Sequence, residues 1–479
     1  MDNQQAQVVR ISTPRIAHLP ETETSRPVIL EPYHVDLIEE YGYVSREYLI
    51  SGVAAGESYC TRLLLRCPAN VTQFTGFVVL EPSHLWGGTS IWRHISRWVM
   101  RSGHAWLEVD SQAPSAVDKI KNVDPDRYKE IHFIPGPLAR EFQENIPFVF
   151  DVTKESLREA YDAFKAKWWP ATPQSPEIIA AASHALRSSQ LGLTATRVVL
   201  SGLSQTGGVT RHFITHSSHL RLPDGGLLFE GYIPCQSGGE ALPDVQGAKI
   251  VELLGESEFL SVRLPCGVSG QMKDTVHRRP DSDSFRLYEI ASMAHRESRE
   301  ASPLEMERWS VAELHGAKWS TFSNSFIYHA VFEAVERWTS EAAIPPPPSA
   351  TLQTNGLSDE IIRDEHGNAL GGVRTLHTEA PLARIVAATP KGRPSWYRGS
   401  EWPFDSEKLQ SMYGSVSNYR RIAGQALNSQ IQSGFLLSSD AEILRRETIE
   451  TVSLSLTHKL CVSSTRGGTL ICARDTEQL

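Results

Sequence analysis

Apolar runs and helically spaced segments alternate through most of the chain. "FTGFVVLEP" (74–82) is a short continuous apolar run, which predicts a buried strand. "TSIWRHISRWVMRSGH" (89–104) places Ile91, Ile95, Trp98 and Val99 at helical spacing and ends at Gly103, a natural helix stop. "AWLEVDSQ" (105–112) is the next strand. A strand, a helix and a second strand in that order imply a βαβ unit and a parallel sheet. "EYLISGVAAG" and "YCTRLLLRCPA" (47–69) predict edge strands. "EIIAAASHALRSS" (177–189) predicts a helix leading into the strand "VVLSGL" (198–203). "KIVELLGESEF" (249–259) reads as a strand with an acidic exit, "FRLYEIASMAH" (285–295) as a strand ending in His295, and "NSFIYHAVFEAVERWTSE" (324–341) as a helix. The predicted class is α/β, with a mostly parallel sheet and helices on both faces.

The same pattern divides the chain. Residues 1–25 are polar and read as a flexible arm, and 26–343 form the α/β core. Within it, the less regular stretch 113–175 suggests a cap over an apolar pocket, with Trp168 and Trp169, and Trp86 outside it, as candidate substrate contacts. "IPPPPSA" (344–350) is a stiff proline-rich break. The extension 351–479 reads as strands and turns followed by helices near 406–413, 419–433 and 440–448, packed on the core.

Composition narrows the class. The 479 residues are 40% hydrophobic and 22% charged, with a net charge of -9. No Lys/Arg run offers a surface for a phosphate backbone, so nucleic acid is not the expected partner. The six cysteines form no CxxC pair and no metal spacing. The N-terminus lacks the apolar core of a signal peptide, and no stretch approaches ~20 apolar residues. The expectation is a cytoplasmic protein without membrane contact, with a homo-oligomer left open.

Candidate chemistry centres on "VVLSGLSQTGG" (198–208), where Ser204 stands between a strand and a helix start. A nucleophilic serine needs its oxygen in open space on a tight turn, and small neighbours let strand and helix approach. Gly202 fits, but Thr206 stands where a second glycine is usual, and a Gly-x-Ser turn alone is equally served by a helix cap. The following strands shift the balance. One exits into Gly255-Glu256-Ser257-Glu258 and the next into Ala291-Ser292-Met293-Ala294-His295, the chain order serine, acid, histidine. His295 is the expected base, with His277, His315 and His329 as rivals. Glu258 is the favoured acid and Glu256 the alternative. Two N–H groups must receive the oxyanion. One is expected from Gln205 and the other from the loop "EPSHLWGG" (81–88), at Ser83 or His84.

These segments resemble the alpha/beta hydrolase domain family of bacterial and fungal esterases. The resemblance rests on "VVLEPSHLWGG", "GHAWLEVDSQ", "SGLSQTGG", "RRPDSDSFRLYEIASMAH", "FIYHAVFEAVERW" and "RDEHGNALGGVRT" (363–375), and spans about Thr61 to Glu447. It implies the α/β-hydrolase fold and a serine motif G-x-S-x-[ST]-G, into which Thr206 and Gly207 fit. It also implies that Ser204 is the nucleophile, that His295 is the base, that the acid lies within 256–258, and that the extension belongs with the core. The expected activity is hydrolysis of a small carboxylic ester or lactone without cofactor or metal. Amide hydrolysis and acyl transfer use the same groups. A hydrolase fold kept only for binding would have lost one of them, and none is lost here.

Overall fold

The computed structural model of the chain describes residues 9–85, 90–134, 172–260, 277–298, 317–355, 360–387 and 399–450. Its centre is a sheet of nine strands: β1 (Arg15–His18), β2 (Tyr43–Ala54), β3 (Glu57–Pro68), β4 (Phe77–Pro82), β5 (Ala105–Val109), β6 (Arg197–Leu203), β7 (Gly231–Cys235), β8 (Lys249–Gly255) and β9 (Phe285–Ile290). The spatial order is β9-β8-β7-β6-β4-β5-β3-β2-β1. The strands from β9 to β5 are parallel, and β3, β2 and β1 add antiparallel pairs. The chain is thus α/β with a mostly parallel sheet.

Alternation along the strands builds the two sides of the core. Val78 and Leu80 of β4 face one side with Val198 and Leu200 of β6, under helix α2 (Ser175–Arg187) with its Ile178, Ile179 and Leu186. Phe77 and Val79 face the other side with Val199 and Leu203. There they meet Trp98 of α1 (Trp92–Ser102) and Phe332 of α5 (Asn324–Trp338). A two-sided core explains why these strands read as continuous apolar runs. Helices α3 (Gln205–His212) and α4 (Glu256–Leu260) follow β6 and β8 directly.

Two sequence expectations change here. Residues 15–18 are not part of a loose arm: Arg15–His18 pairs with Tyr48–Ser51 as the edge strand, which satisfies backbone groups of β2. Segment 231–235 was not anticipated as a strand because it holds Gly231 and Pro234, residues that weaken a strand assignment. It nonetheless lies in mid-sheet, with Pro234 beside Gly202.

The extension packs against the core. Ala291 N–H donates to Val373 C=O at 3.1 Å, and Val373 N–H to Glu289 C=O at 2.8 Å. Helices α7 (Ser406–Tyr413), α8 (Val416–Gln432) and α9 (Ser438–Leu444), with the shorter α6 (Leu376–Glu379) before them, gather a further apolar cluster with Leu409, Tyr419 and Leu427, and Phe326 of α5 joins it. Asp440 of α9 is fully buried and accepts from Arg101 at 2.6 Å and from His329 Nδ1 at 2.8 Å. Among the described residues no helix is long and apolar enough to cross a membrane.

Candidate active site

The turn from β6 into α3 is built by backbone crowding. A Cβ on Gly202 would lie 2.3 Å from Thr206 O, and one on Gly207 would lie 2.5 Å from Cys235 O. Only glycine lets strand and helix approach this closely. Ser204 adopts φ 61°, ψ -117°, a conformation an L-residue holds only when its surroundings impose it. Its N–H donates to Cys235 C=O at 3.0 Å, and its C=O accepts from Gly208 N–H at 3.0 Å. Thr206, the residue that broke the simplest form of the motif, is fully buried and stitches this turn. Its hydroxyl accepts from Leu203 N–H at 2.8 Å and donates to Leu203 C=O at 2.9 Å.

The exits of β8 and β9 bring the partners. Ser204 Oγ lies 2.8 Å from His295 Nε2, and His295 Nδ1 lies 2.7 Å from Glu258 Oε1. Glu258 is fully buried at the middle of α4. Glu256, the alternative acid, is turned away from His295. Its carboxylate accepts from Ser292 N–H and from Arg363, both at 2.7 Å. The rival histidines are engaged elsewhere. His277 Nε2 meets Glu289 at 2.7 Å and His329 meets Asp440, while His315 lies outside the described residues.

The loop after β4 meets the serine through two glutamines. Gln205 Nε2 donates to Gln112 Oε1 at 2.7 Å, and Gln112 Nε2 lies 3.1 Å from Gln205 Oε1. Gln112 Nε2 also donates to Ser83 C=O at 2.8 Å, and Leu85 N–H to Gln205 Oε1 at 3.3 Å. The pair fastens residues 83–85 to the residue after Ser204. Asp110 is fully buried and accepts from Arg62 Nε at 2.5 Å, and Arg62 also reaches Glu108 at 2.7 Å. Neither Gln112 nor the side chain of Gln205 was singled out from the sequence, because a glutamine on a loop carries no periodic or motif signal.

Of the two expected loop donors, Ser83 is committed to the sheet, since its N–H donates to Val109 C=O at 2.9 Å. His84 is buried. Its burial, reinforced by the positive charge of Arg296 and by His295, pushes its imidazole down to about 3, so it is neutral at ordinary pH. Gln205 N–H occupies the first position of α3, where no intrahelical acceptor exists and the helix dipole favours negative charge. Trp86, Trp168 and Trp169 lie outside the described residues, as does most of the expected cap. No cluster of three or more metal-binding side chains occurs among the described residues.

A sequence profile described as "Alpha/beta hydrolase domain" matches residues 11–446. No curated protein matches the chain. Among solved structures, a protein described as a dienelactone hydrolase from Klebsiella pneumoniae is 13% identical, with 45% of this chain and 73% of that one covered and a TM-score of 0.24. Brefeldin A esterase, a bacterial homologue of human hormone-sensitive lipase, is 14% identical, with 41% and 40% covered and a TM-score of 0.23. A thermostable esterase from Pseudomonas putida is 14% identical, with 43% and 47% covered and a TM-score of 0.22. The aligned part spans less than half the length of these two esterases. With the family profile covering nearly the whole chain, the protein belongs to the alpha/beta hydrolase domain family.

Proposed function

We propose that the protein is a serine hydrolase that cleaves a carboxylic ester through an acyl-enzyme on Ser204. The observation that carries this reading is the unbroken path Ser204 Oγ, His295 Nε2, His295 Nδ1, Glu258 Oε1, with links of 2.8 and 2.7 Å. Both links are within proton-transfer reach, which supports the reading of His295 as base and Glu258 as its orienting acid.

Glu258 accepts a hydrogen bond from His295 Nδ1–H, which leaves Nε2 with a lone pair facing the serine hydroxyl. Ser204 Oγ attacks the ester carbonyl as its proton passes to Nε2. The oxyanion is received by Gln205 N–H and by a second N–H from the loop after β4, with His84 as the candidate there because Ser83 donates to Val109. His295 then gives its proton to the departing alcohol. Water, deprotonated by His295, attacks the acyl-enzyme and restores Ser204. No step calls for a metal or an organic cofactor. The substrate is a small ester or lactone, and a soluble protein acting in the cytoplasm, alone or as a homo-oligomer, completes the proposal.

A series of p-nitrophenyl esters from acetate to octanoate tests the reading. The wild-type protein is expected to release nitrophenol and Ser204→Ala to show none above background. Equal rates from both proteins, or none from either, would remove ester hydrolysis as the activity.

A further inference from the structure

The turn Ala291–His295, which presents the imidazole, is gripped by hydrogen bonds at successive positions. Ala291 N–H goes to Val373 C=O, and Met293 C=O accepts from Ser257 N–H at 3.2 Å. Ala294 C=O accepts from Gln236 Nε2 at 3.1 Å and from Asn324 Nδ2 at 2.9 Å. Between them Ser292 has φ 66°, a left-handed conformation that is strained for a non-glycine residue and persists only where its surroundings hold it. Its N–H is held by Glu256 Oε2.

Glu256 is fully buried, and burying a carboxylate is costly unless it is paired and hydrogen-bonded. Arg363 is that partner: its Nη2 lies 2.7 Å from Glu256 Oε1. The arginine stands on a hairpin of the extension, whose turn is closed by Gly367 N–H to Asp364 C=O at 2.9 Å and Asp364 N–H to Asn368 C=O at 2.8 Å. Glu256 and Glu258 share the single turn α4. One carboxylate orients the histidine, and the other fixes the strained turn that carries it.

We infer that Arg363 is a positioning residue for the triad: through Glu256 it holds the Ser292 turn and so sets His295 against Ser204. The extension is thereby part of the machinery that orients the base. This inference rests on the proposed serine chemistry. Misplacement of a reacting group by about 1 Å costs on the order of 100-fold in rate, and Arg363 is the long-range support against such a shift. Its side chain is 30% exposed, so a small guanidinium ion has access to its place.

The test begins with fluorophosphonate labelling of the wild-type protein. Absence of label on Ser204 there sinks the serine chemistry itself. With wild-type labelling in hand, Arg363→Ala is expected to lower kcat and the labelling rate about 100-fold with little change in KM. Millimolar methylguanidinium is expected to restore much of the loss, and Arg363→Lys to retain most of the activity. In Glu256→Gln/Arg363→Ala, the amide oxygen still accepts from Ser292 and no charge is stranded, so activity rises above Arg363→Ala. That double variant and Arg363→Lys carry the test if Arg363→Ala does not fold. Wild-type labelling by Arg363→Ala overturns the inference. So does a loss that neither methylguanidinium, lysine nor the Glu256→Gln partner change relieves.

Discussion

Thr206 satisfies both backbone polar groups of Leu203, accepting from its N–H at 2.8 Å and donating to its C=O at 2.9 Å. Leu203 ends β6 just before Ser204 turns into α3, and the Thr206 hydroxyl meets both of its backbone groups there. Leaving them without the hydroxyl in a buried site costs about 2 kcal/mol. Thr206→Val, which keeps the shape, is therefore expected to lose about that much stability in urea unfolding, and Thr206→Ser to lose much less. An unchanged midpoint for Thr206→Val would show that the hydroxyl does not support the turn.

The Gln112–Gln205 pair predicts a coupled loss of rate. Gln112 holds the loop at Ser83 C=O, Gln205 holds it at Leu85 N–H, and the two side chains hold each other, so the three contacts form one network. Gln112→Leu and Gln205→Leu are each expected to lower kcat roughly 10- to 100-fold, less than the roughly 100- to 1,000-fold cost of removing an oxyanion donor outright, because the donor is displaced rather than lost. The double variant is expected to be little worse than either single one, since residues in one network are not additive. Multiplicative losses would mean that the two glutamines act separately.

In the proposed mechanism Glu258 and Glu256 take two different roles on one helical turn. Glu258→Gln keeps the volume but no longer enforces the imidazole tautomer that leaves Nε2 free to accept. The expected loss in kcat is on the order of 10³- to 10⁴-fold, with KM nearly unchanged. Steady-state kinetics on a p-nitrophenyl ester decides it, and a loss below about tenfold would point away from Glu258 as the orienting acid.

Asp440 makes the attachment of the C-terminal helices sensitive to acid. Burial works against its ionisation, but the hydrogen bonds from His329 and Arg101 outweigh burial and hold its carboxyl below the usual aspartate range. A depressed folded-state value means the contribution is present above the unfolded-state value of about 3.9 and is lost as pH falls through the folded-state value. Asp440→Asn is therefore expected to be less stable than wild type by on the order of 3 kcal/mol near pH 7. The gap should close as the pH is lowered below about 4. Thermal melts of both proteins across that range read it directly, and a gap independent of pH would contradict the assignment.

The strands buried on both faces were legible because their apolar runs are long and bounded by turns, as at 74–82 and 249–255. Gly103 marks the end of α1 in the sequence and caps it in the structure with φ 73°. Ser204 and His295 were legible because each follows a strand at its end. The sequence favours Glu258 but keeps Glu256 as an alternative, because both follow the same strand two residues apart. Only the packing of Ser292 and Arg363 turns Glu256 aside. Strand β7 was hidden by Gly231 and Pro234, and β1 by its polar composition at the edge of the sheet. Gln112, Gln205 and Arg363 act through contacts between residues 93 and 107 positions apart, which no local pattern records.

Mass analysis of the Ser204 peptide after fluorophosphonate treatment, run side by side on wild type and His295→Ala, tests whether Ser204 is the nucleophile activated by His295. Label on Ser204 is expected in the wild type, forming several orders of magnitude more slowly in His295→Ala. Label absent from Ser204, or label that forms equally fast without His295, would contradict that role of Ser204.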